Sequence, residues 1–332
     1  MKTRWLSTLL TLLLLSGCAL PEPVSPQPPP QEEPVQTGEA QTPGWQYRYW
    51  LGCARRELET ACAAEGEAVD WSAPVQGGGT LAQLAEQQAR ENTALYATVE
   101  AWAAEQNCLL TEADRQSLDR LWQQRAADAG GEEAYHRRLA EQGLTPEQAR
   151  LLAETGQKYA RLHALALEPD SGFGPTPEEL RAFAEEAGYL TVDRYLAADA
   201  DREKARKRAA DAFSRLNAAD DPAAFFPGLA AEGDDPGPRT FRRGEGVLSP
   251  QLEESAAFLR EGQCSGILEA EDGFSILLRL PPARETLVPL WLDQALQKAA
   301  SQAAAETSET AVHAGKWKFN ETKQDETTEI SR

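Results

Sequence analysis

Hydrophobic positions recur with helical spacing over most of the first half of the chain. From Thr80 onward, leucine, alanine, valine and tryptophan residues share one helical face as far as about Gln106. Threonine also precedes three further helical patterns, at Thr111, Thr145 and Thr176, and each is followed three residues later by a residue that completes a capping box. Together with a first helix that starts at Trp45, these patterns predict a bundle of about six helices before residue 187.

The stretch from Gly188 to Pro282 has a mixed pattern. Apolar and polar residues alternate at its start, which predicts a β-strand, and a β-branched and leucine-rich run closes it. The predicted elements are a strand over Tyr189–Leu196, a helix over Asp201–Leu216, a loop over Glu232–Arg239, a short segment at Thr240 and Phe241, a helix over Pro250–Arg260 and a strand over Asp272–Leu280. This order predicts an α+β unit with a small sheet.

Six segments of this stretch follow one another in a recognisable order and spacing. They are Val192–Leu196, Pro222–Phe225 running into Leu229–Glu232, Asp234–Gly237, Leu248–Phe258, Leu259–Gly266 and Gly273–Arg279. Taken together they resemble a parvulin-type peptidyl-prolyl isomerase domain. The resemblance implies a site that binds proline-containing peptides.

The polar positions of that implied site are changed in this chain. Parvulins carry one histidine in the first strand and another in the last, facing each other across the proline pocket. The corresponding residues here are Arg194 and Ser275, and the hydroxyl position of the family falls on Ala270. The acidic position at the start of the active-site loop is kept as Asp235. By the same resemblance, these three polar residues, Asp235, Arg194 and Ser275, are the candidate catalytic residues.

The apolar half of the implied site is kept. Leu248 and Leu252, four residues apart, stand where the family has its pocket residues, and Phe241 completes the predicted proline pocket. An isomerase must bind the twisted amide better than the planar one, against a barrier of roughly 18–20 kcal/mol, and oriented polar groups in a desolvated pocket do this. With the histidine pair gone, we expect peptide or proline binding with weak or no isomerase activity.

Two alternatives to this reading stay open. In one, Arg194 and Ser275 still orient Asp235, so that slow catalysis remains. In the other, Arg194 and Ser275 are ordinary strand residues of a vestigial domain, and Asp235 is a turn residue before Pro236.

The predicted bundle resembles the chaperone-like region of surface foldases and periplasmic chaperones that carry parvulin domains. That resemblance implies that the parvulin-like unit is inserted between the bundle and a returning C-terminal helix. The predicted fold is therefore α+β, with a helical domain at 44–187, a parvulin-like domain at 188–284 and a C-terminal helix at 285–305 that packs on the bundle. The polar tail, 306–332, is expected to be mostly disordered, with room for a short docking strand near Ala311–Phe319.

The N-terminus has the character of a bacterial export signal. A basic start is followed by an apolar run, Leu6–Leu15, that is too short to span a bilayer. The run ends in a Leu-Ser-Gly-Cys sequence that resembles the lipobox, which implies cleavage after residue 17 and lipid attachment to Cys18. The protein is thus expected outside the cytoplasm, lipid-anchored to the bacterial cell membrane. The Pro-rich residues 18–43 are expected to form an extended tether.

Composition limits the partners. The formal net charge of −20 argues against nucleic acid and against anionic membrane surfaces, and it favours basic unfolded polypeptides as clients. The chain has no CxxC pair and its histidines are scattered, so no metal and no cofactor is expected.

Two function classes remain open from the sequence. The first is an extracytoplasmic folding factor of the parvulin type that binds unfolded or proline-containing segments of exported proteins, with isomerase activity weak or lost. The second is a non-enzymatic binding lipoprotein that uses a degenerate parvulin scaffold for one dedicated partner. A folding factor protects many unfolded chains from aggregation, whereas a dedicated binder captures one protein.

Overall fold

The computed structural model describes residues 35–37, 40–42 and 44–314, with side chains described from 44 to 305. The described residues divide into two compact units. The first, here called the helical unit, comprises the residues up to Leu162 and those from Ala295 onward. The second, here called the α+β unit, comprises His163–Gln294. The domain boundaries expected from the sequence, at 187/188 and 284/285, differ from these limits, and as boundaries of folding domains they stay predictions.

The six predicted helices are present between residues 44 and 187. They are α1 (Gly44–Ala64), α2 (Leu81–Glu105), α3 (Glu112–Ala129), α4 (Glu132–Glu141), α5 (Pro146–Leu167) and α6 (Pro177–Ala187). The capping boxes predicted at Thr111, Thr145 and Thr176 form, and a further one forms at Thr80. In each, the threonine hydroxyl accepts a backbone N–H, and the residue three positions on bonds back to the threonine N–H. Helix α5 runs from the helical unit into the α+β unit, to which α6 belongs.

Aromatic residues of α1 form the core of the helical unit. Trp45 and Trp50 are buried in one cluster with side chains from α2, α4 and α5. The Trp50 ring lies 4.9 Å from that of Tyr96, and the Trp122 ring lies 4.9 Å from that of Tyr135 in an edge-on arrangement. Core packing is therefore the role of the two α1 tryptophans.

A short hairpin precedes α1. Strand β1 (Val35–Thr37) pairs antiparallel with β2 (Ala40–Thr42), Val35 opposite Thr42. The expectation of an extended tether throughout 18–43 is wrong for these residues. Valine and threonine favour strands, and the two residues between the strands match the length of a hairpin connection, which outweighs the polar composition of the segment.

The α+β unit contains a four-stranded antiparallel sheet in the order β4-β3-β6-β5. Its elements are β3 (Tyr189–Ala197), α7 (Arg202–Ala218), α8 (Pro222–Ala231), β4 (Arg239–Arg242), α9 (Pro250–Phe258), β5 (Leu268–Ala270) and β6 (Gly273–Leu280). The predicted strands and helices of this stretch, and with them the α+β class, are confirmed. The edge strand β5 was not predicted, because three residues are too few to show an alternating pattern.

The two faces of the sheet carry separate apolar clusters. Tyr195 and Ile276 belong to the face covered by α7 and α8. Val192 and Leu277 belong to the face covered by α9. Both central strands are buried on both faces, as a sheet with helices on each side requires.

The last helix, α10, runs over Arg284–Ala314. It is longer than the predicted helix, which ended at 305. The strand expected from Ala311 is therefore wrong for Ala311–Ala314, and its remainder lies outside the described residues. None of the helices within residues 44–314 combines the length and apolar character needed to cross a membrane.

Arg284 fastens the start of α10 inside the α+β unit. Its guanidinium donates to the carbonyl oxygens of Ala166 at 2.8 Å, Leu167 at 3.2 Å and Pro175 at 3.0 Å. Two of these carbonyls belong to the C-terminal end of α5, where helical carbonyls lack intrahelical donors. Gly174 lies against this contact, since a Cβ there would be 2.1 Å from the carbonyl oxygen of Ala166.

Candidate functional site

Sheet register brings Arg194 and Ser275 together. Leu196 on β3 is opposite Ser275 on β6, and Arg194 is opposite Leu277. Residues two apart on a strand share a face, so Arg194 and Ser275 are diagonal neighbours on the face that α9 covers. Both are buried: Arg194 is 4% exposed and Ser275 is 0% exposed.

The Arg194 guanidinium is bonded on three sides. Its Nε donates to Ser275 Oγ at 2.9 Å, Nη1 donates to Asp235 Oδ2 at 3.3 Å and Nη2 donates to Asp272 Oδ2 at 2.6 Å. A buried guanidinium is stable only with such partners, because an unpaired charge away from water is costly. Arg194 therefore joins the two central strands to both loops at this end of the sheet.

Asp235 is held by a second arginine. Arg239 Nη1 donates to Asp235 Oδ2 at 2.7 Å, and Arg239 Nη2 donates to Asp235 Oδ1. These hydrogen bonds from Arg239, with a smaller contribution from Arg194, hold the pKa of the Asp235 carboxyl below its usual range. Both carboxylate oxygens are thus engaged, and the group is a poor proton acceptor near neutral pH.

The base of the loop that carries Asp235 is anchored next to β3. Asp234 accepts from the N–H of Ala198 at 2.7 Å and from Arg208 at 2.9 Å, while its own N–H donates to the carbonyl of Leu196 at 2.9 Å. A Cβ at Gly233 would be 3.0 Å from the Leu196 nitrogen, so the chain passes close to the strand here. These contacts set the position from which Asp235 reaches the arginines.

A further carboxylate lies beneath the network. Asp193 Oδ1 accepts from the backbone N–H of Arg194 at 2.9 Å, and burial raises the pKa of this carboxyl. Asp193 points to the opposite side of β3 from Arg194, since adjacent strand residues alternate. It borders the network through its electrostatic interaction with Arg239.

The predicted pocket residues pack against the same face of the sheet. Phe241 is 1% exposed, Leu248 is 5% exposed and Leu252 is 1% exposed, and all three belong to the apolar cluster under α9. Their side chains fill this space with one another and with Ala270, which is also buried in the cluster. They therefore offer little surface to a bound proline ring.

The sequence resemblance singled out Arg194, Ser275 and Asp235, and the structure brings all three together. It missed Arg239 and Asp272, which complete the network. Asp272 had the appearance of a turn residue before β6, and Arg239 follows a loop of proline and glycine whose path no local pattern predicts. Within the described residues, no cluster of His, Cys, Asp or Glu side chains could hold a metal ion.

No protein-family model matches the chain, and no curated protein matches it. Several solved structures do. The foldase protein PrsA from Streptococcus pneumoniae is 16% identical over 71% of this chain and 86% of its own, with a TM-score of 0.25. PrsA from Bacillus subtilis is 14% identical over 88% of this chain and 95% of its own, also with a TM-score of 0.25.

A SurA-like chaperone from Campylobacter jejuni is 12% identical over 64% of this chain and 88% of its own, with a TM-score of 0.22. Superpositions with such low scores do not establish a shared fold or function, so the proposals below rest on contacts within this chain. These three structures are of two foldase proteins and a SurA-like chaperone.

Proposed function

We propose that this chain is an extracytoplasmic folding factor that binds unfolded or proline-containing segments of exported proteins, and that its α+β unit has weak or no peptidyl-prolyl isomerase activity. The observation that carries the proposal is the contact of Arg194 with both Ser275 and Asp235. These are the three polar positions that the parvulin resemblance assigns to the site, and they meet although they are far apart in the sequence.

The same contacts argue for weak catalysis. A rotating amide is stabilised by polar groups that point at it from a desolvated pocket. Here the donors of Arg194 point at Ser275, Asp235 and Asp272, and the oxygens of Asp235 face Arg194 and Arg239. A substrate amide would have to compete with these charge-assisted bonds, which are stronger than bonds to a neutral amide.

A proline-isomerisation assay on the full-length chain tests whether isomerase activity is weak or absent. The native protein is compared with a double variant, Arg194→His with Ser275→His, which restores the residue types of the family and removes the Arg194 guanidinium from Asp235, while that of Arg239 stays. We expect little or no acceleration by the native protein and a gain by the double variant. Rapid exchange catalysed by the native protein would refute the loss of activity, and two inactive proteins would refute the assignment of the site.

Client binding is tested separately. Several unrelated unfolded proteins are diluted from denaturant with and without the full-length chain, and their aggregation is followed by light scattering. The proposal expects delayed aggregation of most of them, since a folding factor recognises unfolded chains in general. No delay with any client would count against it.

A second candidate is a binding lipoprotein with one dedicated partner. The burial of Phe241, Leu248 and Leu252 favours it, because a filled proline pocket leaves the α+β unit as a scaffold. This candidate expects no protection of unrelated clients and the recovery of a single protein by crosslinking on the cell surface.

The proposal also includes a lipid anchor at Cys18, which lies outside the described residues. The Leu-Ser-Gly-Cys sequence after an apolar run supports it. We expect Cys18→Ser to abolish incorporation of a labelled fatty acid and to move the protein from the membrane fraction to the soluble fraction. Unchanged labelling of the variant would rule Cys18 out as the anchor.

A further inference from the structure

A buried carboxylate without a cationic partner lies beside the predicted proline pocket. Glu253, early in α9, is 6% exposed, and among the described residues no lysine or arginine forms an ion pair with it. Its oxygens instead accept from backbone N–H groups, Oε2 from Gly244 at 2.7 Å and Oε1 from Leu248 at a longer 3.5 Å. Burial of a charge is costly, and here the cost is offset only by bonds to a loop.

Both bonds reach the loop between β4 and α9, residues 244–248, here called the glycine loop. Gly244 and Gly246 have φ angles of +86° and +76°, which glycine adopts at no steric cost. Residues 244–247 are exposed. Apart from a turn at the base of the loop, its hydrogen bonds to the described part of the chain are the two to Glu253. One carboxylate therefore holds the glycine loop in place.

Leu248, the last residue of the glycine loop, is the member of the loop that is buried. It is 5% exposed and belongs to the same apolar cluster as Phe241 and Leu252. The backbones of those two residues are fixed in β4 and α9, whereas that of Leu248 lies outside any helix or strand. Movement of the glycine loop thus carries Leu248 out of the cluster and leaves Phe241 and Leu252 in place.

The junction between the glycine loop and α9 leaves a polar group unsatisfied. Ser249 is the N-cap residue of α9, yet its side chain makes no capping bond, and its Oγ is buried without a hydrogen-bond partner among the described residues. A serine in this position normally accepts from a backbone N–H of the first turn. The buried hydroxyl of Ser249 and the buried charge of Glu253 both favour an opening to water, whereas the packing of Leu248 favours closure. The glycine loop is therefore balanced between two states.

We propose that the glycine loop is a plug with Glu253 as its latch, and that on opening the proline ring of a client segment takes the place of Leu248 against Phe241 and Leu252. In the closed state the chain fills its own pocket. In the open state the client supplies the apolar contacts that Leu248 gives up, so binding shifts the equilibrium towards the open form. A proline ring is smaller than a leucine side chain, so the vacated space accommodates it. This inference rests on the proposed function as a binder of proline-containing segments, and it names how that site is regulated.

Native-state hydrogen exchange of the full-length chain tests the opening. The amides of Gly244 and Leu248, which are bonded to Glu253, should exchange faster than those of β3 and β6, because they need only a local opening. Their exchange should also change little in low concentrations of urea, since a local opening exposes little surface. Exchange with the same rate and the same urea dependence as β3 and β6 overturns the proposal.

Peptide binding tests what enters the pocket. A short fluorescent Gly/Ser peptide with one Ala-Pro pair, and the same peptide with alanine in place of proline, are titrated with the full-length chain and followed by fluorescence anisotropy. We expect Leu248→Ala and Glu253→Gln each to bind the proline peptide about tenfold more tightly than the native chain, because each raises the open fraction and the apparent affinity scales with that fraction. No tightening in either variant, or equal binding of the two peptides, overturns the proposal.

Leu252→Ala is the matched control. Leu252 is a buried leucine of the same cluster, but it is fixed in α9 and forms part of the pocket wall in both states. Its loss removes contacts from Leu248 and from a bound proline alike, so this variant should bind the proline peptide no more tightly than the native chain. Equal tightening by Leu248→Ala and Leu252→Ala overturns the plug. Hydrogen exchange of β3 and β6 shows whether each variant is folded.

Failure of this inference can be told apart from failure of the proposed function. If the native chain delays the aggregation of unfolded clients, but Leu248→Ala and Glu253→Gln bind the proline peptide no more tightly than it does, the folding role stands and the plug is refuted. If the native chain delays no aggregation, but both variants bind the proline peptide more tightly, the plug stands and the folding role does not.

Discussion

Replacing Arg194 by methionine tests whether one buried guanidinium holds the candidate site together. Methionine keeps much of the side-chain length and removes the charge. The change deletes the bonds to Ser275, Asp235 and Asp272. Ser275 loses its donor in a place with no exposed surface, so water cannot replace the missing bond.

The contacts set the size of the effect. The Asp272 side chain is 51% exposed, so its carboxylate is solvated after the change, and Asp235 keeps both bonds to Arg239. Neither becomes an uncompensated buried charge, which would cost about 3–5 kcal/mol. The unsatisfied hydroxyl of Ser275 costs about 1–3 kcal/mol, and the lost charge-assisted bonds add about 1 kcal/mol. We therefore expect Arg194→Met to lower the free energy of unfolding of the α+β unit by about 2–4 kcal/mol.

Native-state hydrogen exchange of peptides from β3 and β6 measures this energy for the α+β unit alone. A double-mutant cycle with Ser275→Ala adds the decisive control. With the serine removed, no hydroxyl is left unsatisfied, so the double variant should be about 1–2 kcal/mol more stable than the sum of the single changes predicts. A loss below about 1 kcal/mol for Arg194→Met, or strictly additive effects, would refute the network.

Three further predictions follow from the same unit. Burial raises the pKa of Asp193, so ionisation of this carboxyl lowers the stability of the folded protein as the pH rises through the folded-state pKa. Asp193→Asn keeps a hydrogen-bond acceptor and removes the charge. It should stabilise the protein at neutral pH but not in acid, as measured by urea denaturation across pH. The pKa of Asp235 is shifted in the opposite direction, downward. Hydrogen bonds from Arg239 lower this pKa, so the ionised carboxylate stabilises the folded protein fully above the ordinary carboxyl pKa, and this stability is lost as the pH falls through the folded-state pKa. Asp235→Asn should therefore remove part of the loss of stability in acid. An unchanged dependence of stability on pH in acid would contradict the contact between Asp235 and Arg239. Gly174→Ala should lower the free energy of unfolding by about 1–3 kcal/mol, since its Cβ would meet the backbone of Ala166. The control Gly228→Ala has open space around it in α8 and should be neutral or slightly stabilising. Similar melting temperatures for the two variants would count against the close approach of Gly174 to Ala166.

Local sequence was sufficient for most of the secondary structure. The helices behind Thr80, Thr111 and Thr176 begin where the capping pattern placed them, because a cap involves only residues within one turn. Strand β3 was visible from its alternation. Elements with few residues, such as β5 and the hairpin of β1 and β2, did not stand out, because three residues contain too little periodicity.

The candidate site was only partly accessible from the sequence. Arg194, Ser275 and Asp235 were found because they occupy positions that the parvulin resemblance marks, while Arg239 and Asp272 were not. Whether Arg239 and Asp272 belong to the network depends on the path of two loops around the end of the sheet. The sequence determined which residue types were available, and the tertiary structure decided that two arginines and two aspartates neutralise one another there.

The same division applies to the apolar residues. The sequence identified Leu248 and Leu252 as a candidate pocket, and it predicted a helix after Thr111, to which Trp122 belongs. Only the packing decided that the first two are buried under α9, whereas Trp122 borders a small open dent between α3 and α5. Periodicity reports which face of an element is apolar, but whether that face is filled or left open depends on the size and distance of side chains from elsewhere in the chain.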